Sequence, residues 1–212
     1  PNSHGFPDED DNAYTDVHNL KPCDRSVNSS RGTKDFDFGG NQHSEASDCL
    51  TDSDSWEPPD YVKGDIARIL FYMVVRYDPG VDHENNTFDL ELVDYTTPNN
   101  TEPILGKLSS LLDWHLSDPV DDFEINRNEI IFGFQQNRNP FIDHPNLVNY
   151  LWGDNVGLVW NENLTVPENE IVNQWAVGLW WWVGMGVGPS VCPSILPSIF
   201  PSIRPPVRPF FI

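Results

Sequence analysis

Y-T-D-V-H-N-L-K-P-C-D-R-S-V-N-S-S-R-G-T-K-D-F, residues 14–36, gathers more chemically competent side chains than any other stretch of the chain: Asp16, His18, Asn19, Lys21, Arg25, Asn28 and Arg31. Polar and apolar residues alternate over 16–20, which predicts a short strand ended by Pro22. Ser26-Val27-Asn28-Ser29-Ser30-Arg31-Gly32 predicts a helical turn closed by glycine, with Asn28 and Arg31, three apart, on one face. Hydrolysis of a phosphodiester with a metal calls for a base, a hard oxygen ligand and a cation for the developing charge. His18 has the chemistry of the base, Asn28 of the ligand, and Arg31 or Arg25 of a phosphate clamp. A capped turn beside a hydrogen-bonded strand histidine has the same spacing, so these residues alone leave both readings open.

Outside that stretch, charge sets the strongest bound. The 212 residues carry 12 Lys and Arg against 33 Asp and Glu, a formal charge of -21. Taken alone this argues against a nucleic-acid partner, whose phosphates a binder must neutralise, and suits solubility in a salty medium. A locally basic site is still compatible with it, because screening acts over about 8 Å at physiological salt. The three cysteines, Cys23, Cys49 and Cys192, have no metal-ligand spacing; a Cys23–Cys49 disulfide in an exported protein and free thiols are both open. The first residue is not Met and no signal peptide is visible, so a chain processed at its start, or a fragment, is expected.

Taken in order, residues 1–12 read as a loop whose acidic run Asp8-Glu9-Asp10-Asp11 lacks the alternation of a calcium loop. Residues 37–57 are rich in Gly, Ser, Asp and Asn and predict a long surface loop. Ile66, Ile69, Leu70, Met73, Val74 and Tyr77 then recur at helical spacing, placing a helix over 63–77 with Arg68 and Arg76 off its apolar stripe. Residues 81–102 read as an irregular excursion. Leu105, Leu108, Leu111, Leu112 and His115 mark a second helix, and Asp118-Pro119 starts a third, running to about Gln135 with Val120, Phe123, Ile130 and Phe134 facing the core. A short last helix carries Leu147, Val148, Leu151 and Trp152.

The organisation expected is a folded domain over 1–155, a linker over 156–170 and a tail over 171–212. No acidic residue follows Glu170, and Pro189, Pro193, Pro197, Pro201, Pro205 and Pro209 recur every four, which excludes helix and central strand alike. The preceding run with Trp180, Trp181 and Trp182 is broken by glycines and shorter than the roughly 20 apolar residues that span a bilayer. Two further clusters have chemistry. Gln136, Asn137, Arg138 and Asn139 beyond a helix end suit contacts to phosphate or sugar, and equally suit capping. Asp113-Trp114-His115 with Asp121-Asp122 could bind metal, although a solvated helix face around an aromatic anchor explains them too.

Four ordered segments join these readings: T-D-V-H-N-L-K-P (15–22), S-V-N-S-S-R-G (26–32), G-D-I-A-R-I-L-F-Y-M (64–73) and Q-Q-N-R-N-P-F (135–141). Together they resemble the bacterial endonuclease I family, secreted or periplasmic nucleases of the His-Me finger class, over roughly residues 1–152. The resemblance implies an α+β fold, a mostly helical single domain around a small ββα-metal motif. It implies cleavage of DNA, and often RNA, with little sequence preference and with one divalent ion, usually Mg2+. No specific protein partner is implied. The family's asparagine ligand matches Asn28; Asp16 and His18 match the segment beside the site, and Arg31 the arginine of the asparagine's own segment. Arg25, Asn137, Arg138 and Asn139 are the expected contacts to substrate.

One feature of the family departs from this sequence. Its Glu-His pair, second metal ligand and general base, sits just ahead of a segment like Pro1-Asn2-Ser3-His4-Gly5-Phe6, and His4 is not preceded by glutamate. The expectation is therefore an N-terminally truncated member that lacks its base and half its metal site, with its activity as it stands left open. The competing reading is a secreted acidic binding or adhesion module that keeps only the nuclease fold. The two differ in where Lys21, Arg25, Arg31, Lys34, Arg68, Arg127 and Arg138 lie: lining one cleft beside Asn28, or scattered among acidic neighbours.

Overall fold

Helix α3 (Lys63–Arg76) is the element around which the others pack, and its sequence explains why. Its predicted stripe is buried at Ile69, Leu70, Met73 and Tyr77, but Ala67, Arg68, Phe71, Tyr72 and Val75 are buried as well, so the helix is enclosed on nearly all sides. A helix apolar on most of its surface belongs in a core. The computed structural model describes residues 12–78, 90–97 and 104–161, which fall into two compact units, 12–145 and 146–161. The Asp8–Asp11 run, His4, Phe88, Cys192 and the Pro-rich tail lie outside the described residues.

The architecture is mixed α/β. Short α1 (Asn12–Thr15) and a 3-10 turn (Val17–Asn19) precede α2 (Arg25–Arg31). Six strands follow among the helices: β1 (Asp35–Phe36), β2 (Asn41–Gln42), β3 (Leu50–Thr51), β4 (Ser55–Glu57), β5 (Glu91–Val93) and β6 (Ile104–Lys107). Their order is β2-β3-β4-β1-β6-β5. β1 runs parallel to β4 and β6, pairing Phe36 with Trp56 and Gly106, while β2, β3 and β4 form an antiparallel meander. The helices α4 (Leu108–Ser117), α5 (Asp122–Gln135) and α6 (Pro140–Asp143) complete the first unit. In the second, α7 (Leu147–Leu151) buries Leu147 and Val148. Among the described residues no helix is long and apolar enough to cross a membrane.

Three expectations give way here. The stretch 37–57 is not a long loop, since it supplies β2, β3 and β4, with Cys49 and Trp56 buried against Val27. Strands of two or three residues are too short to show an alternating pattern, and the Gly, Ser and Asp between them dominate the composition. Residues 16–20 form a 3-10 turn instead of a strand, closed by Asn19 N–H to the Asp16 carbonyl at 3.0 Å. Leu105 belongs to β6, ahead of the helix assigned to it.

The third helix also differs. Asp121 caps α5 by accepting from Glu124 N–H at 2.9 Å, whereas the Asp118 carboxylate takes Gly64 N–H at 2.8 Å. Phe123, Ile130 and Phe134, expected inside, are 59%, 51% and 78% exposed; Glu124, Asn128 and Ile131 face inward in their place. The polar pair is accommodated because each has a partner: Glu124 meets Arg68, and Asn128 holds the Asn139 backbone.

Arg68, assigned to the outside of α3, is completely buried. Its Nε and NH2 donate to the two oxygens of Glu124 at 2.7 and 2.5 Å, and its NH1 donates to the Asp118 carbonyl at 2.8 Å. Gly64 is tied to this arrangement, because a Cβ there would lie 1.9 Å from the Asp118 carbonyl and 2.6 Å from the guanidinium. Gly64→Ala is therefore expected to cost about 1–3 kcal/mol despite its higher helix propensity, read as a lowered urea midpoint. An unchanged or raised midpoint would show that the approach of 104–121 to α3 is looser than these distances.

Candidate active site

The predicted residues separate into two groups. The first is a buried polar network centred on Asp16, which is 2% exposed. Its Oδ1 accepts from His18 N–H at 2.9 Å and from Gln135 Nε2 at 2.8 Å; its Oδ2 accepts from the hydroxyls of Tyr72 at 2.7 Å and Tyr77 at 2.8 Å. A carboxylate out of water needs such a complement of donors. Asn137 closes the network, donating to Tyr72 Oη at 2.7 Å and accepting from Gln135 Nε2 at 3.0 Å. Gln135 in turn accepts Val17 N–H at 2.9 Å, and Arg127 donates to the carbonyls of Val17 and Leu20, each at 2.7 Å.

His18 lies inside this cage. Its ring is 1% exposed and 4.6 Å from that of Tyr72, and its Nε2 is 3.4 Å from the Asn137 carbonyl. Burial pushes its pKa below the usual value, an effect the Asp16 charge partly offsets. Burial likewise raises the Tyr72 phenol well above its usual range, with Asp16 adding to it. These bonds tie the turn between α1 and α2 to α3 and α5.

The second group stands on α2. Asp24 caps the helix by accepting from Ser26 N–H at 2.8 Å, and these bonds hold its pKa below the ordinary value. Gly32, at φ +57°, closes the other end with its N–H on the Asn28 carbonyl at 3.0 Å. Val27 points into the cluster with Cys49, Trp56 and Phe36, which seats the helix. Asn28 is exposed, and its side-chain amide has no hydrogen-bond partner among the described residues. Arg31 is half-buried, its guanidinium 5.2 Å from the Phe36 ring, and burial lowers its pKa. No hydrogen bond or ion pair among the described residues joins Asn28 or Arg31 to Asp16 or His18.

The remaining predicted contacts are held within the fold to different degrees. Asn139 is buried, its Oδ1 accepting from Phe141 N–H and its Nδ2 donating to the Arg68 carbonyl, both at 2.9 Å. Arg138 is gripped by Asp143 at 2.7 Å and Glu129 at 2.5 Å, which raises its pKa. Arg25 is exposed. The cations thus neither line one cleft nor scatter evenly. Lys21 pairs with Asp65, Arg68 with Glu124 and Arg138 with Asp143, while Arg127 holds backbone carbonyls. Arg25, Arg31 and Lys34 lie on or just after α2. Cys23 and Cys49 are free thiols, the first exposed and the second buried.

His43 was not singled out in the sequence, and it supports α2 from the sheet side. Its Nδ1 accepts from the N–H of Ala46 at 3.1 Å, which leaves the proton on Nε2 to donate to Ser30 Oγ at 2.9 Å. No sequence pattern announces it, because its partners are a backbone amide and a serine 13 residues away.

The two groups carry the motif residues in the order expected of one family, and its model, Endonuclease I, matches residues 3–146. The chain belongs to the endonuclease I family. Among relatives within and around this endonuclease I family, an extracellular ribonuclease of Bacillus amyloliquefaciens is 53% identical over 139 residues, 65% of this chain and 46% of the relative. One from Bacillus subtilis (strain 168) is 52% identical over the same shares. An extracellular deoxyribonuclease of Aeromonas hydrophila is 30% identical over 66% of this chain and 54% of its own. This endonuclease I chain spans about half the length of the curated relatives it matches.

Proposed function

We propose that the protein is a secreted, metal-dependent endonuclease that hydrolyses phosphodiester bonds with little sequence preference, in RNA as well as DNA. The observation that carries this is the exposed, unengaged amide of Asn28 at the centre of α2, in the family's own motif. The extracellular ribonucleases and deoxyribonuclease it resembles support both the location and the substrate class. Charge does not oppose the reading, since α2 presents its cations with no carboxylate among the described residues bound to them.

The donor set is compatible with a divalent ion, Mg2+ above all. Among the described residues no group of three His, Cys, Asp or Glu could hold a metal, so a site rich in protein ligands is not what this part of the chain offers. Asn28 offers one hard oxygen, and Mg2+ ordinarily takes one or two protein ligands and keeps several waters. A bound ion supplies Lewis-acid stabilisation of charge on the phosphoryl oxygens. Asn28 holds the ion, Arg31 and Arg25 neutralise phosphate charge, and the Asp16 cage with His18 and Asn137 keeps the preceding turn in place. Arg138 and Asn139 act through the fold, one as an ion-paired strut and one as a helix cap.

The test is cleavage of supercoiled plasmid and of labelled RNA by the protein, with Mg2+ or with EDTA. Cleavage of both only with Mg2+, and a drop of about 100-fold in Asn28→Ala, is expected. Cutting that survives EDTA, or is indifferent to Asn28→Ala, would remove Asn28 from the metal. The acidic binding module predicts no cutting at all.

A further inference from the structure

We propose that Arg25 and Arg31 bracket Asn28 on α2 so as to hold the two phosphates on either side of the bond at Asn28, making this helix the track along which a nucleic-acid strand runs. The inference rests on the nuclease reading above and adds the strand's path and register.

The first support is geometric. Arg25, Asn28 and Arg31 are three residues apart in turn on one helix. At 3.6 residues per turn they lie about 60° apart round the axis, with Asn28 in the middle, and the outer two are separated by about 9 Å along it. Two guanidinium groups so placed suit two phosphates better than one.

The second support is the charge inventory. In a chain with 33 carboxylates, Lys21, Lys63, Arg68, Lys107 and Arg138 each have one within ion-pair distance. Neither Arg25 nor Arg31 has an ion pair or side-chain hydrogen bond among the described residues. For Arg31 this is costly, because its guanidinium is half-buried and desolvated, with the Phe36 face and the Cys23 side chain near it and no carboxylate among the described residues in ion-pair range. A desolvated cation without an anion is suited to an anion that arrives from outside. The nearby acids are engaged elsewhere: Asp24 caps the helix, and Glu45 accepts from Ser26 Oγ at 2.7 Å, about 160° round the helix from Asn28. Lys34 extends the track, its Nζ on the neutral Thr51 Oγ1 at 2.7 Å.

The experiment measures binding of a labelled single-stranded oligonucleotide of one base in EDTA, with the affinity followed against salt. Each phosphate contact contributes about 0.7 to the slope of log K on log salt for a single strand. Arg25→Gln and Arg31→Gln are each expected to lower the slope by about 0.7, their combination by about 1.4, and Arg31→Lys to restore most of the loss at 31. Arg138→Gln should leave the slope unchanged, as its fork is occupied. Slopes unmoved in Arg25→Gln, whose side chain is exposed and not needed for folding, would overturn the bracket while leaving the nuclease reading intact. A double variant that loses no more than one single would also overturn it, since both arginines would then serve one phosphate. A wild-type protein that does not bind the oligonucleotide in EDTA would overturn the bracket, and one that fails to bind with Ca2+ as well would overturn the nuclease reading itself.

Discussion

Arg68→Met is expected to lower stability by about 3–5 kcal/mol. The reason is what stays behind. Glu124 is 4% exposed, and burial already raises its pKa against the opposing effect of Arg68. Without the guanidinium its carboxylate keeps no cation bonded to it, with Arg127 acting on it only through space and the like charge of Asp65 left opposed, and the Asp118 carbonyl loses the donation it receives at 2.8 Å. Urea unfolding of the variant should show the loss as a shifted midpoint. The paired change Arg68→Met with Glu124→Leu should recover much of it, because replacing both partners by apolar groups of similar size is often neutral. A single variant within about 1 kcal/mol of wild type would mean that water reaches this pair and screens it.

Asp16→Ala comes next, at about 3–5 kcal/mol. It removes the Asp16 acceptor from the hydroxyls of Tyr72 and Tyr77, the Gln135 amide and the His18 N–H, and each buried donor that finds no other acceptor costs about 1–3 kcal/mol before the site relaxes. Tyr77→Phe, which removes a single donor, should cost about 1 kcal/mol. The same variant separates support from catalysis. If the cage only positions the turn, Asp16→Ala lowers the melting temperature while the molecules that remain folded bind nucleic acid with the wild-type salt slope. A variant with wild-type stability and lost cleavage would instead put Asp16 at the reaction.

These two sites mark where the sequence could be read and where it could not. Helix α3 was legible because its apolar residues repeat at 3.6, and the end of α2 because Gly32 is a strong stop signal. The burial of Arg68 was not legible, since an arginine off the apolar stripe looks solvated until Glu124, 56 residues away, is known to face it. Phe123, Ile130 and Phe134 misled for the complementary reason: α5 has apolar residues on opposite faces, and only the polar contacts of Glu124 and Asn128 decide which side is inward. In the site, Asn28 and Arg31 could be picked out by motif, and their spacing of three put them on one face. The burial of His18 needed the structure, because a histidine's neighbours, and not its spacing, determine whether it meets solvent.

The helix α2 is capped by its own Asp24 and Gly32 and anchored by Val27 alone among its buried side chains. Its outward residues therefore contribute little to the fold, and the fold's costly residues lie elsewhere. In evolutionary terms, and on the nuclease reading, such a helix is a free margin: substitutions at 25 and 28 change the face offered to a strand at little cost in folding.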